Sequence, residues 1–237
     1  MNFEKGEILY LDKPLHWTSF DLVNKIRYTI CKHLQIKKLK VGHAGTLDPL
    51  ATGVMIVCTG RATKLIGELQ AQTKEYIATL RLGATTPSFD LETEIDARYP
   101  NSHITRETTE SVLQNFTGAI EQIPPAYSAC KVNGDHAYKL ARRGEEVHLK
   151  PKKLIIDKIE LLTFSPDELK LRIVCSKGTY IRALARDVGL ALNSGAHLTA
   201  LVRTMVGEVR LEQCLNIDTF GAMLRSESLS SNQGSYL

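Results

Sequence analysis

Aromatic residues make up only 6% of this 237-residue chain, with one tryptophan. No apolar run approaches the roughly 20 residues that a membrane-spanning helix needs, so a helical membrane protein is excluded. The opening residues, Met1-Asn2-Phe3-Glu4-Lys5, lack the apolar core of a secretion signal, and a cytoplasmic protein is the expectation. The five cysteines, Cys31, Cys58, Cys130, Cys175 and Cys214, are odd in number, scattered and without a C-x-x-C pair. That argues for reduced thiols and against a disulfide framework or a zinc site. There is no G-x-S-x-G elbow, no G-x-x-x-x-G-K-[ST] loop and no clustered metal-ligand spacing, which removes the common hydrolase and nucleotide-binding readings. Internal repeats and linker-like stretches are missing too, which points to one domain.

What is present is the composition of an ordinary soluble globular protein, with 43% hydrophobic and 24% charged residues. The net charge of +4 is too mild to announce a nucleic-acid binder, so its distribution matters more than its sum. Residues 131 to 153 carry +4 and residues 32 to 48 carry +3, leaving about −3 for the rest. A basic run is ordinarily a solvated face; contact with RNA is the alternative.

The most informative stretch is Gly42-His43-Ala44-Gly45-Thr46-Leu47-Asp48-Pro49-Leu50-Ala51-Thr52-Gly53. Its glycines permit close approaches, and Pro49 biases Asp48 away from helix. Behind it, Val54 to Cys58 reads as a short buried strand able to anchor the loop. Either this is an active-site loop presenting Asp48, or it is a Gly/Pro turn with a solvated acid.

Along the chain, Ile8 to Leu11 reads as a strand ending at Asp12-Lys13-Pro14, and Lys13 is either an exposed lysine or one projecting its ammonium into a cleft. Thr18 and Asp21 form a capping-box pattern for a helix striped by Val23, Ile26, Ile30 and Leu34. Ala62 to Leu69 reads as a short helix. Lys74 to Gly83 alternates as a strand with Tyr76, Ala78, Leu80 and Leu82 on one face. Residues 84 to 100 read as a loop, and Thr105 to Phe116 as a surface helix capped by Gly118. Residues 122 to 153 suggest a strand, a turn and a short basic helix standing out from the core. Leu154 to Phe164 and Leu169 to Cys175 read as strands, followed by a helix striped by Ile181, Leu184, Ala185, Val188 and Leu192. Arg182 and Arg186 near its start oppose the helix dipole, which suggests that they answer to a nearby anion. In the last strand, Leu198 to Val206, one face carries Leu198, Ala200 and Val202 and the other Thr199, Leu201 and Arg203. Residues 225 to 237 are Ser-rich and nonperiodic, and disorder is the expectation.

Four blocks taken together, LDKP at 11 to 14, GHAGTLDPLATG at 42 to 53, IPPAYSACKVNG at 123 to 134 and CSKGTYIRALARDVG at 175 to 189, resemble the TruB family of tRNA pseudouridine synthases, in order, across about residues 8 to 205. The resemblance implies an α+β pseudouridine synthase fold with a mixed, mostly antiparallel sheet, filling residues 1 to 224, and a thumb-like insertion at about 122 to 153. It implies Asp48 as the catalytic carboxylate, Arg182 as its partner and Tyr76 packed on the target uracil. Tyr180 would contact the flipped nucleotide, Leu201 would floor the uracil pocket, His43 would fill the space the base leaves, and Lys13 would support the site. Lys131, Lys139, Arg142 and Arg143 would meet the RNA backbone. The implied substrate is a T-loop uridine of tRNA, position 55, with no cofactor and no obligatory protein partner. Two departures stand out: no room for the family's common C-terminal PUA domain, and Ala44 where many relatives carry a small hydroxyl residue. Competing readings are a noncatalytic tRNA-binding or folding module and the catalytic subunit of a guide-RNA-dependent complex.

Overall fold

The computed structural model describes residues 1 to 132 and 134 to 233, the last seven of these by backbone alone. The chain forms two compact units, Met1–Gln72 with Val202 and the residues after it, and Thr73–Leu201. No linker marks either boundary: one falls just before a strand and the other inside one, which is why composition does not reveal them.

In the first unit, β1 (Ile8–Lys13) pairs antiparallel with β3 (Ala51–Thr59), with Lys13 opposite Gly53. β2 (Val41–His43) also pairs with β3. The β-branched run in β3 is buried almost throughout, as its lack of alternation predicts. Between β1 and β2 lies α1 (Ser19–Leu34), opened by a full capping box between Thr18 and Asp21 and burying Leu22, Val23, Ile26 and Ile30. After β3 a 3-10 turn over Gly60–Leu65 leads into α2 (Ile66–Ala71), where one helix from Ala62 to Leu69 was expected. Ile66 and Leu69 pack on a core of Ala44, Val54, Ile56, Cys58 and Val206.

The second unit opens with β4 (Lys74–Leu82), followed by two-residue strands β5 (Ala84–Thr85) and β6 (Ala97–Arg98) that pair antiparallel across residues 86 to 96. α3 (Arg106–Gln114) is capped by Thr105 and ends at Asn115; Gly118, expected as its cap, instead opens β7 (Gly118–Gln122). The basic excursion holds β8 (Lys131–Val132), β9 (Asp135–His136) and α4 (Ala137–Arg142). β10 (Lys152–Phe164), β11 (Glu168–Cys175) and α5 (Ile181–Ala191) follow, then β12 (Ala196–Val206). Antiparallel ladders join β4 to β11, β11 to β10 and β10 to β7. The predicted stripe of α5 is buried in full.

β12 corrects the facial reading. Leu201 and Arg203, assigned to the polar face, are buried, whereas Ala200 is exposed. Alternation counts an arginine as polar; it cannot see that its donors are consumed by carbonyls.

The chain then returns to the first unit with β13 (Val209–Arg210) and α6 (Ile217–Gln233). Thus residues 225 to 233, expected to be disordered, continue a helix, while 234 to 237 lie outside the described residues. Asn216 accepts from the Thr219 amide at 2.8 Å and Phe220 and Leu224 are buried, so the helix is nucleated and docked early. Extension costs little after nucleation, and a serine-rich stretch carries no apolar period to reveal it.

Candidate active site

In the first unit the backbone around Asp48 is tied on both sides. Ser19 Oγ accepts from the Leu47 amide at 2.9 Å and donates to the Leu47 carbonyl at 3.0 Å. Beyond Asp48, the Pro49 carbonyl accepts from the His16 amide at 2.8 Å, and the Ala51 amide returns to the Asp48 carbonyl at 3.0 Å. These bonds fix a loop that has no regular ladder of its own.

Lys13 and Arg203 complete the frame. Lys13 is fully buried, which overturns the exposed-lysine reading. Its Nζ donates to the carbonyls of Trp17 at 2.6 Å, Pro14 at 2.9 Å and, at 3.5 Å, Pro49. Burial pushes its pKa down to about 8, the charge of Asp48 opposing and that of Arg203 adding to the fall. Arg203 Nε donates to the Val54 carbonyl at 2.7 Å and Nη2 to the Gly45 carbonyl at 3.2 Å, so one guanidinium clasps both ends of the loop. Gly53, at φ +105°, lies so close that a Cβ would stand 2.2 Å from the Arg203 carbonyl oxygen. His43 has a buried Nδ1 with no hydrogen-bond partner among the described residues, and burial, with Arg203, holds its pKa below the ordinary value.

In the second unit Tyr76 is buried on β4, opposite Ile173. Arg182, in the first turn of α5, is buried and donates to the carbonyls of Ser88 at 3.2 Å and Tyr127 at 2.9 Å. Its Nε stands 3.5 Å from Asp90 Oδ2. Asp90 in turn accepts from Ser88 Oγ at 2.6 Å and from the Glu92 amide at 2.9 Å through Oδ1. Arg186 bonds Asp187 at 2.7 Å and lies 4.9 Å from the Phe89 ring centroid. Both arginines therefore answer to protein carboxylates.

Tyr180 caps α5, its amide and carbonyl bridged by the Gln122 side chain at 2.9 and 3.1 Å. Its hydroxyl lies 3.3 Å from Cys130 Sγ, to which Lys152 Nζ donates at 3.3 Å. Against the upward pull of burial, hydrogen bonds from Ser128, Tyr180 and Lys152 hold the Cys130 thiol below its ordinary pKa. Leu201 lies buried on β12. On the basic excursion Lys131 and Lys139 are exposed, but Arg142 pairs with Glu92 and Arg143 with Glu145.

The expected residues thus fall into two sets: Asp48, Lys13 and His43 around Arg203 in the first unit, and Tyr76, Tyr180, Arg182 and Leu201 in the second, along with the four basic thumb residues. Arg203, Asp90, Ser88 and Gln122 were missed. Asp90 sits in a turn-rich polar stretch that gives no sign of burial, and only the unusual pair of arginines at a helix start hinted at an acid nearby.

The family model described as TruB family pseudouridylate synthase (N terminal domain) matches residues 32–181. The chain belongs to the TruB family. Among relatives, tRNA pseudouridine synthase B of Phocaeicola vulgatus is 69% identical over 97% of this chain and 97% of its own. The protein of that name from Bacteroides thetaiotaomicron is 63% identical over 98% and 99%. Among solved structures, an H/ACA ribonucleoprotein bound to a substrate RNA containing 2'-deoxyuridine aligns with TM-score 0.66 at 25% identity, covering 95% of this chain and 56% of that one. As a TruB-family enzyme the chain has the mixed, mostly antiparallel sheet that the resemblance implied. Among the described residues, no group of three or more His, Cys, Asp or Glu is placed to hold a metal ion, and no helix is long and apolar enough to cross a membrane.

Proposed function

We propose that this TruB-family enzyme isomerises a T-loop uridine, position 55, of cytoplasmic tRNA to pseudouridine without an obligatory protein partner. The observation that carries the reading is the 69% identity, across nearly the full length of both chains, to a protein named tRNA pseudouridine synthase B. The reaction breaks the bond from ribose C1′ to base N1 and forms one from C1′ to C5. C5 loses its proton to solvent and N1 gains one, so no electrons enter or leave and the balance requires no redox cofactor.

Asp48 is the carboxylate, attacking the base at C6 or assisting at the ribose. The framing by Ser19, Lys13 and Arg203 supports this role, because a group that must act at one atom gains from a fixed backbone. Tyr76 stacks on the uracil, Tyr180 contacts the flipped nucleotide, Leu201 floors the pocket and His43 fills the space the base leaves. Arg182 is the cationic residue of the reaction, with Asp90 as its carboxylate partner in the second unit. Extruding the base costs a few kcal/mol, roughly, which stacking and hydrogen bonds must offset. Lys131 and Lys139, exposed on the thumb, meet RNA phosphates; Arg142 and Arg143 reach them only by sharing charge with Glu92 and Glu145.

Tritium release from C5-labelled uridine in an unmodified tRNA transcript tests the reading, with wild-type and Asp48→Asn protein side by side. Release by wild type alone, with pseudouridine mapped to the T loop, is the expected result. Well-folded wild type that binds the transcript but releases nothing would sink it. The likeness to a ribonucleoprotein subunit favours a second reading, guide-dependent catalysis, and turnover on bare transcript decides against that.

A further inference from the structure

The Asp48 loop is entered through a stretch without an acid. From Leu22 to Leu47 there is no Asp or Glu, but there are six basic residues, Lys25, Arg27, Lys32, Lys37, Lys38 and Lys40. This segment carries +6 in a chain of net +4, so all other residues together carry −2. In the fold it is the solvent side of α1 and the turn into β2. Five of the six, the lysines, are exposed, and none of them makes an ion pair among the described residues. Among the described residues Arg27 bonds only the neutral Asn24, at 2.9 Å. The thumb differs: its two arginines are held by acids.

Packing holds this face in place. The opposite side of α1 is buried through Leu22, Val23, Ile26 and Ile30, and the Lys40 carbonyl accepts from the Gly60 amide at 2.8 Å. A helix of 16 residues is about 24 Å long. Phe20 and Tyr28, two turns apart, are each 63% exposed, and Tyr28 has Lys25 and Lys32 as its neighbours at helical spacing. Basic residues interleaved with aromatics suit a nucleic-acid backbone with its riboses and unpaired bases. An anionic membrane fits less well, because surface helices insert an apolar face and the apolar face of α1 is already buried in its own core.

We infer that the solvent face of α1 and the turn into β2 bind the phosphate backbone of the substrate RNA, next in sequence to the loop that carries Asp48; the choice of RNA rests on the tRNA reading above. Each phosphate neutralised contributes a slope of about −0.7 to −0.9 to log affinity against log salt. Five such contacts would lower affinity roughly 100- to 500-fold between 50 and 200 mM salt.

The test is equilibrium binding of a tRNA transcript across a salt series. Lys32→Gln/Lys37→Gln/Lys38→Gln protein is compared with wild type and with a control of equal net charge, Lys5→Gln/Lys64→Gln/Lys170→Gln, exposed lysines elsewhere. The expected result is a slope shallower by about 2 to 3 for the first triple alone, restored when the same three are Arg. An unchanged slope, or an equal change in the control, overturns the inference. So does loss of binding to anionic phospholipid vesicles with the RNA slope intact. Pseudouridine formation by wild type is scored on the same transcript. Product with an unchanged slope removes this surface and keeps the synthase reading; a lost slope without product does the reverse.

Discussion

Lys13 holds an ammonium where no water reaches it, and its three nearest acceptors are backbone carbonyls. Because burial moves its pKa from 10.5 to about 8, the unfolded chain keeps a proton between those values that the folded chain has lost. Stability therefore rises with pH across that window, by no more than about 1.4 kcal/mol per unit, while below pH 8 the cost of the buried charge is constant. Urea unfolding of wild type and Lys13→Met protein from pH 7.5 to 10 checks this: wild type should gain on the variant as pH rises. A gap independent of pH would mean an ammonium in contact with water. Asp48 was legible because Gly42, Gly45, Pro49 and Gly53 punctuate its surroundings. Lys13, Arg203 and Asp90 were not, since whether a charge is buried depends on partners far away in sequence, as with Arg203 and the Gly45 and Val54 carbonyls.

At the scale of elements, α1, α5 and β11 lie where periodicity placed them, because each buries one regular stripe. What periodicity does not convey is how closely two elements approach. Gly189 in α5 is such a point: a Cβ there would stand 2.4 Å from the Ala196 amide nitrogen and 2.7 Å from its Cβ, at the start of β12. Alanine in a helix interior ordinarily gains about 0.8 to 1 kcal/mol over glycine. Here backbone cannot yield as a flexible side chain would, so overpacking of about 1 to 3 kcal/mol outweighs that gain. Gly67 in α2 is the matched control, since nothing lies within 4 Å of its added Cβ. Thermal unfolding should show Gly189→Ala destabilised and Gly67→Ala unchanged or raised. A stabilised Gly189→Ala would show that α5 does not approach β12 as described. α6 marks the opposite failure of pattern reading: a helix started by Asn216, Phe220 and Leu224 runs on into residues with no stripe.

For the molecule as a whole, composition conceals more than it shows. The division into two units cannot be read from the sequence because β12 belongs to both, and the net charge of +4 hides one segment of +6 in an otherwise slightly acidic chain. A field concentrated in that way acts before contact. It raises the rate at which a polyanion arrives, and it fades as the Debye length shrinks to about 10 Å at 0.1 M salt. Lys32→Glu/Lys37→Glu brings the formal net charge from +4 to zero, as does Lys5→Glu/Lys64→Glu. If only total charge mattered, the two variants would associate with tRNA equally slowly. On the reading of α1 and its turn as the arrival surface, stopped-flow at 50 mM salt should show the first pair slowed about 10-fold or more. The second pair should stay near wild type, and the difference should narrow by 200 mM as screening removes the steering. Equal rates for both variants at low salt would assign the attraction to the chain's net charge and leave the acid-free segment as a solvated face.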